Sequence, residues 1–406
     1  MTKCLISGAE TETFLSFGRM PIANGFLEPK DYPNEHFFEL KVGYCPESKM
    51  VQLTELVDEK KMFHENYAFF SSTSRRMAEH FRRFAESVRE KFFASSEDPF
   101  VVEIGSNDGI MLQNFANAGI RHLGIEPSAN VAQAARDKGI ETISEFFDQK
   151  VAERIVAQKG QADAFLAANV MCHIPYLHSV MAGIKTLLKP KGVLVFEDPY
   201  LGDIIEKTSY DQIYDEHAFY FSVTSIEYLV SRHDLEVIDV IRQPVHGGSM
   251  RYVIGHKGAR PVSENVGRQK AFEEQLGLHD PETYRKFAKN VAQSKNDLLE
   301  LLNGLKQQGQ RVGAYGATSK STTVTNYCGI GPDLVEFISD TTPIKQGKFS
   351  PGTHIPVVPH EVFAKNPPSH TLLFAWNHAE EILAKEQQYR ENGGKFLLYV
   401  PKVHTL

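Results

Sequence analysis

The 406-residue sequence has only four cysteines, Cys4, Cys45, Cys172 and Cys328. Cysteines this few and this scattered exclude a disulfide-based scaffold and are typical of a reducing compartment. The amino terminus lacks the apolar run of a signal peptide, and no stretch reaches the ~18 apolar residues of a membrane span. These absences predict a cytoplasmic protein that does not enter a membrane.

A large excess of charge of one sign is also absent. The 51 acidic and 44 basic residues give a formal net charge of -7, and the two signs are mixed along the chain. This mixing argues against an extended nucleic-acid surface but permits a small anionic ligand. With 42% hydrophobic residues, the composition is that of a globular protein, and the length predicts two or three domains.

Three segments of the chain carry different residue patterns. Residues 1–72 contain short apolar runs broken by glycine and proline, which predict a small β-rich module. Residues 73–240 alternate buried-strand and helical patterns, which predict an α/β domain with a parallel, doubly wound sheet. Residues 241–406 contain a polar helical tract at about 263–308. From Arg311 onward the strand pattern returns, so this segment is predicted to form a second α/β domain.

Apolar runs give the expected positions of the strands and helices. In the central segment, strands are predicted at 100–104, 122–126, 164–167 and 192–197, and helices at 129–137 and 180–188. In the last segment, strands are predicted at 312–315, 335–338, 372–375 and 396–400.

A glycine loop directly follows the first predicted central strand. Glu103, Gly105 and Gly109 give it the form acid-x-Gly-x-x-x-Gly, and Glu126 ends the next strand. Glycines let the backbone approach a ligand where a β-carbon would clash. An acid about 20 residues further on is placed to accept the hydroxyl groups of a ribose. The loop therefore predicts a nucleoside site.

Other residues of this region favour a cationic ligand over a dinucleotide. Asn107 stands in a loop that lacks the Gly-x-Gly-x-x-Gly pattern, and Asp108 makes the loop acidic. An acidic loop suits a sulfonium or amino group better than a pyrophosphate. The loop thus resembles the first motif of class I S-adenosylmethionine methyltransferases, with Phe146 and Phe147 expected near the adenine. A structural turn with chance glycines is the alternative.

The segment 214–220 follows the last predicted central strand, where open α/β sheets place their reacting groups. Methyl transfer to a carbon atom needs an acidified C–H bond, for example one next to a ketone, and a base with a near-neutral pKa. We predict His217 as this base. Tyr214 is expected to stabilise the enolate oxygen and Glu216 to orient the imidazole, with no metal required.

Two further polar residues, Asn169 and His173, follow another predicted strand end and are expected to flank the same cleft. Taken singly, residues of these types are more often structural than catalytic. A polar helix start remains the alternative interpretation of the tyrosine, glutamate and histidine in segment 214–220.

Several unrelated motifs occur in one order along the chain. They are 63–67, 69–73, 105–109, 214–220, 246–251, 345–347 and 351–356. Together they resemble the deoxysugar C-3′-methyltransferase family, of which the tetronitrose C-methyltransferase is a member. The resemblance implies a zinc-binding amino-terminal module, a central Rossmann-like methyltransferase domain and a carboxy-terminal Rossmann-like domain that helps to hold a dTDP- or GDP-linked sugar.

The resemblance also implies individual contacts. Tyr67 would belong to a lid over the cofactor, Ser249 and Arg251 would contact a diphosphate, and Lys320 would lie near the same ligand, although a surface role for Lys320 is equally open. The complete candidate set for the cofactor is Tyr67, Glu103, Gly105, Asn107, Asp108, Gly109, Glu126, Phe146, Phe147 and Asn169. The candidate set for the substrate is Tyr214, Tyr220, His246, Ser249, Arg251, Lys320 and His354.

The chain departs from the family at the expected zinc site. The family has two Cys-x-x-Cys pairs, whereas this chain has Cys4 with Ser7 and Cys45 with Ser48. Two thiolates and two hydroxyls make a poor tetrahedral site for zinc, so no zinc is predicted. Packing, hydrogen bonds or a Cys4–Cys45 contact would have to hold the module.

The predicted function is methyl transfer from S-adenosylmethionine to C-3′ of a nucleoside-diphosphate 4-keto-deoxysugar through an enolate. One alternative is a nicotinamide-dependent oxidoreductase or epimerase that uses the turn at 313–317. Another is a non-catalytic sugar-nucleotide-binding protein. The sequence does not predict the oligomeric state.

Overall fold

The computed structural model describes residues 2–58, 75–94 and 96–406, and within these residues the chain forms three β-sheets. The first sheet is antiparallel and comes mainly from the amino-terminal segment. Its strands, in spatial order, are Thr2–Lys3, Glu10–Pro21, Phe37–Tyr44, Val51–Leu53 and Phe219–Tyr220. The last of these belongs to the predicted catalytic segment, which therefore supplies an edge strand to the amino-terminal sheet.

The central sheet is parallel except for one strand, Ser249–His256, which runs antiparallel to both of its neighbours. In spatial order its strands are Leu235–Gln243, Ser249–His256, Leu188–Pro199, Ala162–Ala168, Phe100–Ile104, Arg121–Ile125 and Thr142–Ile143. Successive residues such as Val101 and Val102 belong to separate apolar cores on the two faces. The accompanying helices are Arg75–Phe92, Gln113–Ala116, Ala129–Asp137, Gln149–Lys159, Leu177–Leu187, Leu201–Lys207 and Val223–Ser231.

The predicted doubly wound α/β architecture is confirmed, and the strand predicted at 100–104 has those bounds. The strand Ser249–His256 was not predicted. It forms a hairpin with Leu235–Gln243 and inserts between that strand and Leu188–Pro199. The central sheet therefore continues to His256, and the domain boundary predicted at residue 240 cuts through it.

The third sheet lies in the carboxy-terminal segment. Its strands, in spatial order, are Val357–Val358, Ile338–Ser339, Val312–Tyr315, His370–Leu373, Lys395–Leu398 and His404–Thr405. The helices of this segment are Glu264–Leu276, Pro281–Gln307, Ser319–Cys328, His360–Lys365, Ala379–Lys385 and Gln387–Glu391. The first of them packs against the strand Leu235–Gln243 of the central sheet. The strand predicted at 335–338 begins only at Ile338, where parallel pairing with Val312–Tyr315 starts.

The 27-residue helix Pro281–Gln307 shows why the polar tract folds as it does. Its amino end is capped by Asp280, whose side chain accepts a hydrogen bond from the backbone of Glu282, and proline occupies the first helical position. Buried residues recur at helical spacing from Tyr284 to Leu305 and pack into an apolar core that contains residues of the first and third sheets. Among the described residues, no helix is both long and apolar enough to cross a bilayer.

The four residues at the expected zinc position do come together. The Sγ atom of Cys4 lies 3.2 Å from Oγ of Ser48, and Oγ of Ser7 lies 3.4 Å from Sγ of Cys45. Both cysteines are free and buried in the apolar core that the module shares with the central domain. Because two of the four groups are hydroxyls, the set does not fit zinc. Thiol–hydroxyl hydrogen bonds connect the two Cys-x-x-Ser turns instead.

We expect the purified protein to contain far less than one zinc ion per chain and to melt at the same temperature with or without a chelator. The Ser7→Cys/Ser48→Cys variant should bind about one zinc with four thiolates, and a chelator should then lower its melting temperature. Elemental analysis and thermal melting test this. The matched control is Ser16→Cys, at an exposed position of the same module. Stoichiometric zinc in the unmodified protein would contradict the prediction.

Candidate functional site

A cavity of about 380 Å³ lies between the central sheet and the carboxy-terminal domain. It opens where the strands Phe100–Ile104 and Ala162–Ala168 end, the edge at which open α/β sheets bind ligands. The sequence-predicted residues that line it are Gly105, Asn107, Glu126, Phe146, Phe147, Asn169, His173, Tyr214, Glu216, His246 and Lys320. Most of the predicted site thus surrounds one space.

One end of the cavity combines a fixed carboxylate with aromatic rings. Glu126 accepts hydrogen bonds from the backbone N–H groups of Asn107 (3.0 Å) and Ser128 (2.8 Å), which hold its carboxylate at the strand end. Gly105 has φ +57°, and a β-carbon there would lie 2.4 Å from a methyl of a neighbouring valine. Phe146 also lines this end. A carboxylate beside an apolar wall fits a ribose and an adenine.

Three of the predicted cofactor residues that the structure describes do not line the cavity. Glu103 is buried, and this burial raises its pKa well above the usual value. The carboxylate of Asp108 pairs with Lys138 at 2.9 Å, so the loop's acid is already neutralised. Gly109 packs against a neighbouring isoleucine. Tyr67 lies outside the described residues.

His217 is held in one neutral tautomer behind Tyr214. Its Nδ1 donates to the carbonyl of Gln212 at 3.0 Å, so Nε2 accepts from the Tyr214 hydroxyl at 2.9 Å. Burial, reinforced by the nearby His173, places the pKa of His217 well below its usual value. Tyr214 lines the cavity and His217 does not, so the tyrosine hydroxyl separates the imidazole from a ligand.

Glu216 has a different partner from the one predicted. Both ring nitrogens of His217 are bonded to Gln212 and Tyr214, so Glu216 does not orient this imidazole. Its carboxylate instead accepts from Nδ2 of Asn24 at 2.6 Å and lines the cavity. Burial raises the pKa of Glu216, and the hydrogen bond from Asn24 partly opposes this.

Asn169 and His173 both line the cavity. Asn169 has φ +56° and donates its backbone N–H to the carbonyl of Glu197 at 2.7 Å, which ties two neighbouring strand ends together. The ring of His173 stacks on that of His217 with centroids 5.1 Å apart. Burial lowers the pKa of His173 to about 4, so this ring is also neutral at pH 7.

The other end of the cavity is positively charged. Lys320 and Lys345 line it together with Thr318 and Ser319, which start the helix Ser319–Cys328. Lys320 contacts the side-chain oxygen of an asparagine at 3.3 Å and lies over a tryptophan ring at 4.7 Å. Two ammonium groups and a helix amino terminus favour an anion here.

Four predicted substrate residues lie away from the cavity wall. Arg251 pairs with Glu197 at 2.8 Å, and Ser249 is fully buried with its hydroxyl bonded to a backbone carbonyl. His354 pairs with a carboxylate of the amino-terminal module at 2.8 Å. Tyr220 is buried in the first sheet. Of these contacts, the His354 pair joins the amino-terminal module to the carboxy-terminal domain, whereas those of Arg251 and Ser249 lie within the central sheet and its hairpin.

Sequence reasoning did not assign Lys345, Asn24, Asn377 or His378 to the site, although all four line the cavity. Lys345 belongs to the motif 345–347, one of those that carry the family resemblance, so the sequence could have indicated this residue. Asn24 gives no such signal because it comes from a turn of the amino-terminal module.

Comparisons with known proteins identify the families that the chain resembles. Three family models match: a zinc binding domain over residues 4–63, a methyltransferase domain over 77–240 and a C-methyltransferase C-terminal domain over 244–401. The chain is 35% identical to the C-methyltransferase NovU of Streptomyces niveus over 394 residues, which is 97% of this chain and 93% of the relative.

More distant matches cover only part of the chain. The ubiquinone biosynthesis O-methyltransferase of Pasteurella multocida is 30% identical over 109 residues, which is 24% of this chain and 44% of that protein. A crystal structure of an S-adenosylmethionine-dependent methyltransferase from Anabaena variabilis aligns with a TM-score of 0.35 at 16% identity. That alignment covers 43% of this chain and 84% of the other.

The chain is similar to NovU over nearly its whole length, and methyltransferase family models match two of its three segments. These matches favour a methyltransferase over a nicotinamide-dependent enzyme or a non-catalytic binding protein. The cofactor is S-adenosylmethionine. The chain belongs to the family of S-adenosylmethionine-dependent C-methyltransferases.

Proposed function

We propose that this enzyme transfers a methyl group to C-3′ of a nucleoside-diphosphate 4-keto-deoxysugar, linked to dTDP or GDP. The observation that carries the proposal is the hydrogen bond between a neutral imidazole, that of His217, and the hydroxyl of Tyr214, which lines the cavity. One end of this cavity suits a nucleoside, and the other carries ammonium groups. The pKa of the His217 imidazole lies below the near-neutral value expected from the sequence, so at pH 7 it is unprotonated and able to accept the proton of a carbon acid next to a ketone.

The cofactor would occupy the end of the cavity that contains Gly105, Glu126 and Phe146. Glu126 would accept the ribose hydroxyls, and Phe146 would cover the adenine. When bound there, S-adenosylmethionine supplies an electrophilic methyl group. The chain's own residues have to position the acceptor carbon beside it and move one proton.

The diphosphate would bind at the opposite end, on Lys320, Lys345 and the amino terminus of the helix Ser319–Cys328. Burial lowers the pKa of both lysines below the usual value. An incoming dianion would stabilise their charged forms. This assignment replaces Arg251, whose guanidinium is engaged by Glu197.

The proton would leave C-3′ through Tyr214. As the C–H bond breaks, its electron pair enters the enolate and the proton passes to the Tyr214 oxygen, while the tyrosine's own proton passes to Nε2 of His217. The imidazolium that forms keeps its Nδ1–H bond to Gln212. Glu216, Asn169 and His173 complete the wall around the reacting sugar.

In deuterated water and without S-adenosylmethionine, the enzyme should exchange the C-3′ hydrogen of the correct 4-keto sugar, because enolate formation precedes methyl transfer. Proton NMR on a panel of dTDP- and GDP-linked 4-keto-6-deoxysugars measures this. With the cofactor present, mass spectrometry should show the gain of one methyl. The C-5′ hydrogen is an internal control, since it is also next to the ketone. Exchange at C-5′ alone would contradict the assigned carbon.

His217→Asn should lower kcat by about 10²–10⁴-fold because the base is lost, while the affinity for S-adenosylmethionine stays within about twofold. Tyr214→Phe should cause a loss of similar size if the hydroxyl relays the proton. Steady-state kinetics and calorimetry separate the two effects. Full activity of His217→Asn would refute the base, and full activity of Tyr214→Phe would refute the relay alone.

Gly105→Ala should weaken S-adenosylmethionine binding by roughly tenfold to a hundredfold, because the left-handed φ and the nearby valine both oppose a β-carbon. Isothermal titration calorimetry measures the affinity. Gly304→Ala is the control, since a β-carbon at that helical position meets no atom within 4 Å. Equal affinity in the two variants would contradict the proposed cofactor position.

A further inference from the structure

The turn at residues 22–26 of the amino-terminal module lies between the catalytic segment and the carboxy-terminal domain. The backbone N–H of Ala23 donates to Oδ1 of Asp215 at 3.0 Å, and its carbonyl accepts from the hydroxyl of Thr322 at 2.8 Å. Ala23 is only 2% exposed. The turn is therefore fixed from both sides, and the next side chain, Asn24, lines the cavity.

The Asn24 amide contacts both neighbouring domains. Its Nδ2 donates to Oε1 of Glu216 at 2.6 Å and to Oγ of Ser319 at 2.8 Å. Its Oδ1 accepts from Nζ of Lys345 at 3.5 Å. A carboxamide carries two N–H donors and one acceptor oxygen, so it can serve a carboxylate, a hydroxyl and an ammonium at once. An aspartate at this position could not donate to Glu216.

We propose that Asn24 is a positioning residue of the methyl-transfer site. It holds the Glu216 carboxylate against the cavity wall at a fixed distance from Ser319 and Lys345, where the diphosphate is proposed to bind. The amino-terminal module therefore completes the site rather than only supporting the fold. This inference rests on the proposed function, because the role of Glu216 is to contact the sugar.

The charges around Glu216 predict how its titration responds. Asp215 lies beside it in the same segment, Lys345 faces it from the carboxy-terminal domain, and the Cys172 thiol lies close enough to respond to its charge. Burial raises the pKa of Glu216, whereas the Asn24 hydrogen bond and the Lys345 charge lower it. Removing the amide takes away one lowering contribution, so the carboxylate should become protonated at a higher pH than in the unmodified enzyme.

Asn24→Ala should lower kcat roughly tenfold to a hundredfold, the range expected for a lost hydrogen bond to a charged group. The acidic limb of the pH–rate profile should move to higher pH, and the affinity for S-adenosylmethionine should stay unchanged. Asn24→Asp keeps the side-chain volume but places a second carboxylate beside Glu216, and should shift the limb further. The control is Asn34→Ala, at an exposed position of the same module.

A double-mutant cycle tests whether Asn24 acts through Glu216. In a Glu216→Gln background, Asn24→Ala should cost less than about threefold, because the carboxylate it holds is gone. The Asn24→Asp cycle gives the same test if the alanine variant melts at a lower temperature. An unchanged kcat and pH profile in the single variants, or fully additive losses in the cycle, would overturn the inference while the unmodified enzyme stays active. An enzyme that methylates no 4-keto sugar would instead refute the proposed function, and this inference with it.

Discussion

The structure depends on the burial of one polar segment, Tyr210–Tyr220, at the meeting point of all three sheets. A buried polar group without a partner costs about 1–3 kcal/mol, and this segment finds partners both within itself, as His217 does, and on neighbouring elements. Asp211 accepts from Nε1 of Trp376 (2.6 Å) and from the hydroxyl of Tyr399 (2.7 Å), both in the carboxy-terminal domain. His217 is held by partners within the segment, and the amino- and carboxy-terminal modules fix the segment through Asp215 and Asp211.

This burial also determines the chemical state of the site. Three imidazoles, those of His173, His217 and His246, have pKa values lowered by burial, and those of His173 and His246 lie at about 4. Lys320 further lowers the pKa of His246, since a second positive charge nearby is unfavourable. The cavity wall therefore combines the neutral imidazoles of His173 and His246 with a fixed carboxylate at one end and ammonium groups at the other.

The sequence was sufficient for the features that depend on local pattern. The strand Phe100–Ile104 and the helix Ala129–Asp137 have their predicted bounds, because continuous apolar runs and helical spacing are local properties. The glycine loop and the polar residues at strand ends were also found in this way, since parallel strands bring their carboxyl ends to one edge of a sheet.

Features that depend on long-range pairing could not be read from the sequence. The hairpin strand Ser249–His256 enters the central sheet by pairing with a strand about 55 residues earlier, and no local signal marks that choice. An arginine such as Arg251 is well suited to bind phosphate, but in the folded chain its guanidinium forms an ion pair with the buried Glu197. Asn24 is separated from Glu216 by nearly two hundred residues in sequence, so their contact in the cavity wall is seen only in the folded structure.

The edge strand Phe219–Tyr220 pairs with Gln52 and Val51 of the amino-terminal module, so two distant parts of the chain share one sheet. The amino-terminal module and the segment that carries His217 therefore have to match each other in sequence. Recombination between relatives that exchanges one without the other would bring mismatched side chains into the same sheet face. Shuffled enzymes of this kind should retain their function only when the crossover points keep these two pieces from the same parent.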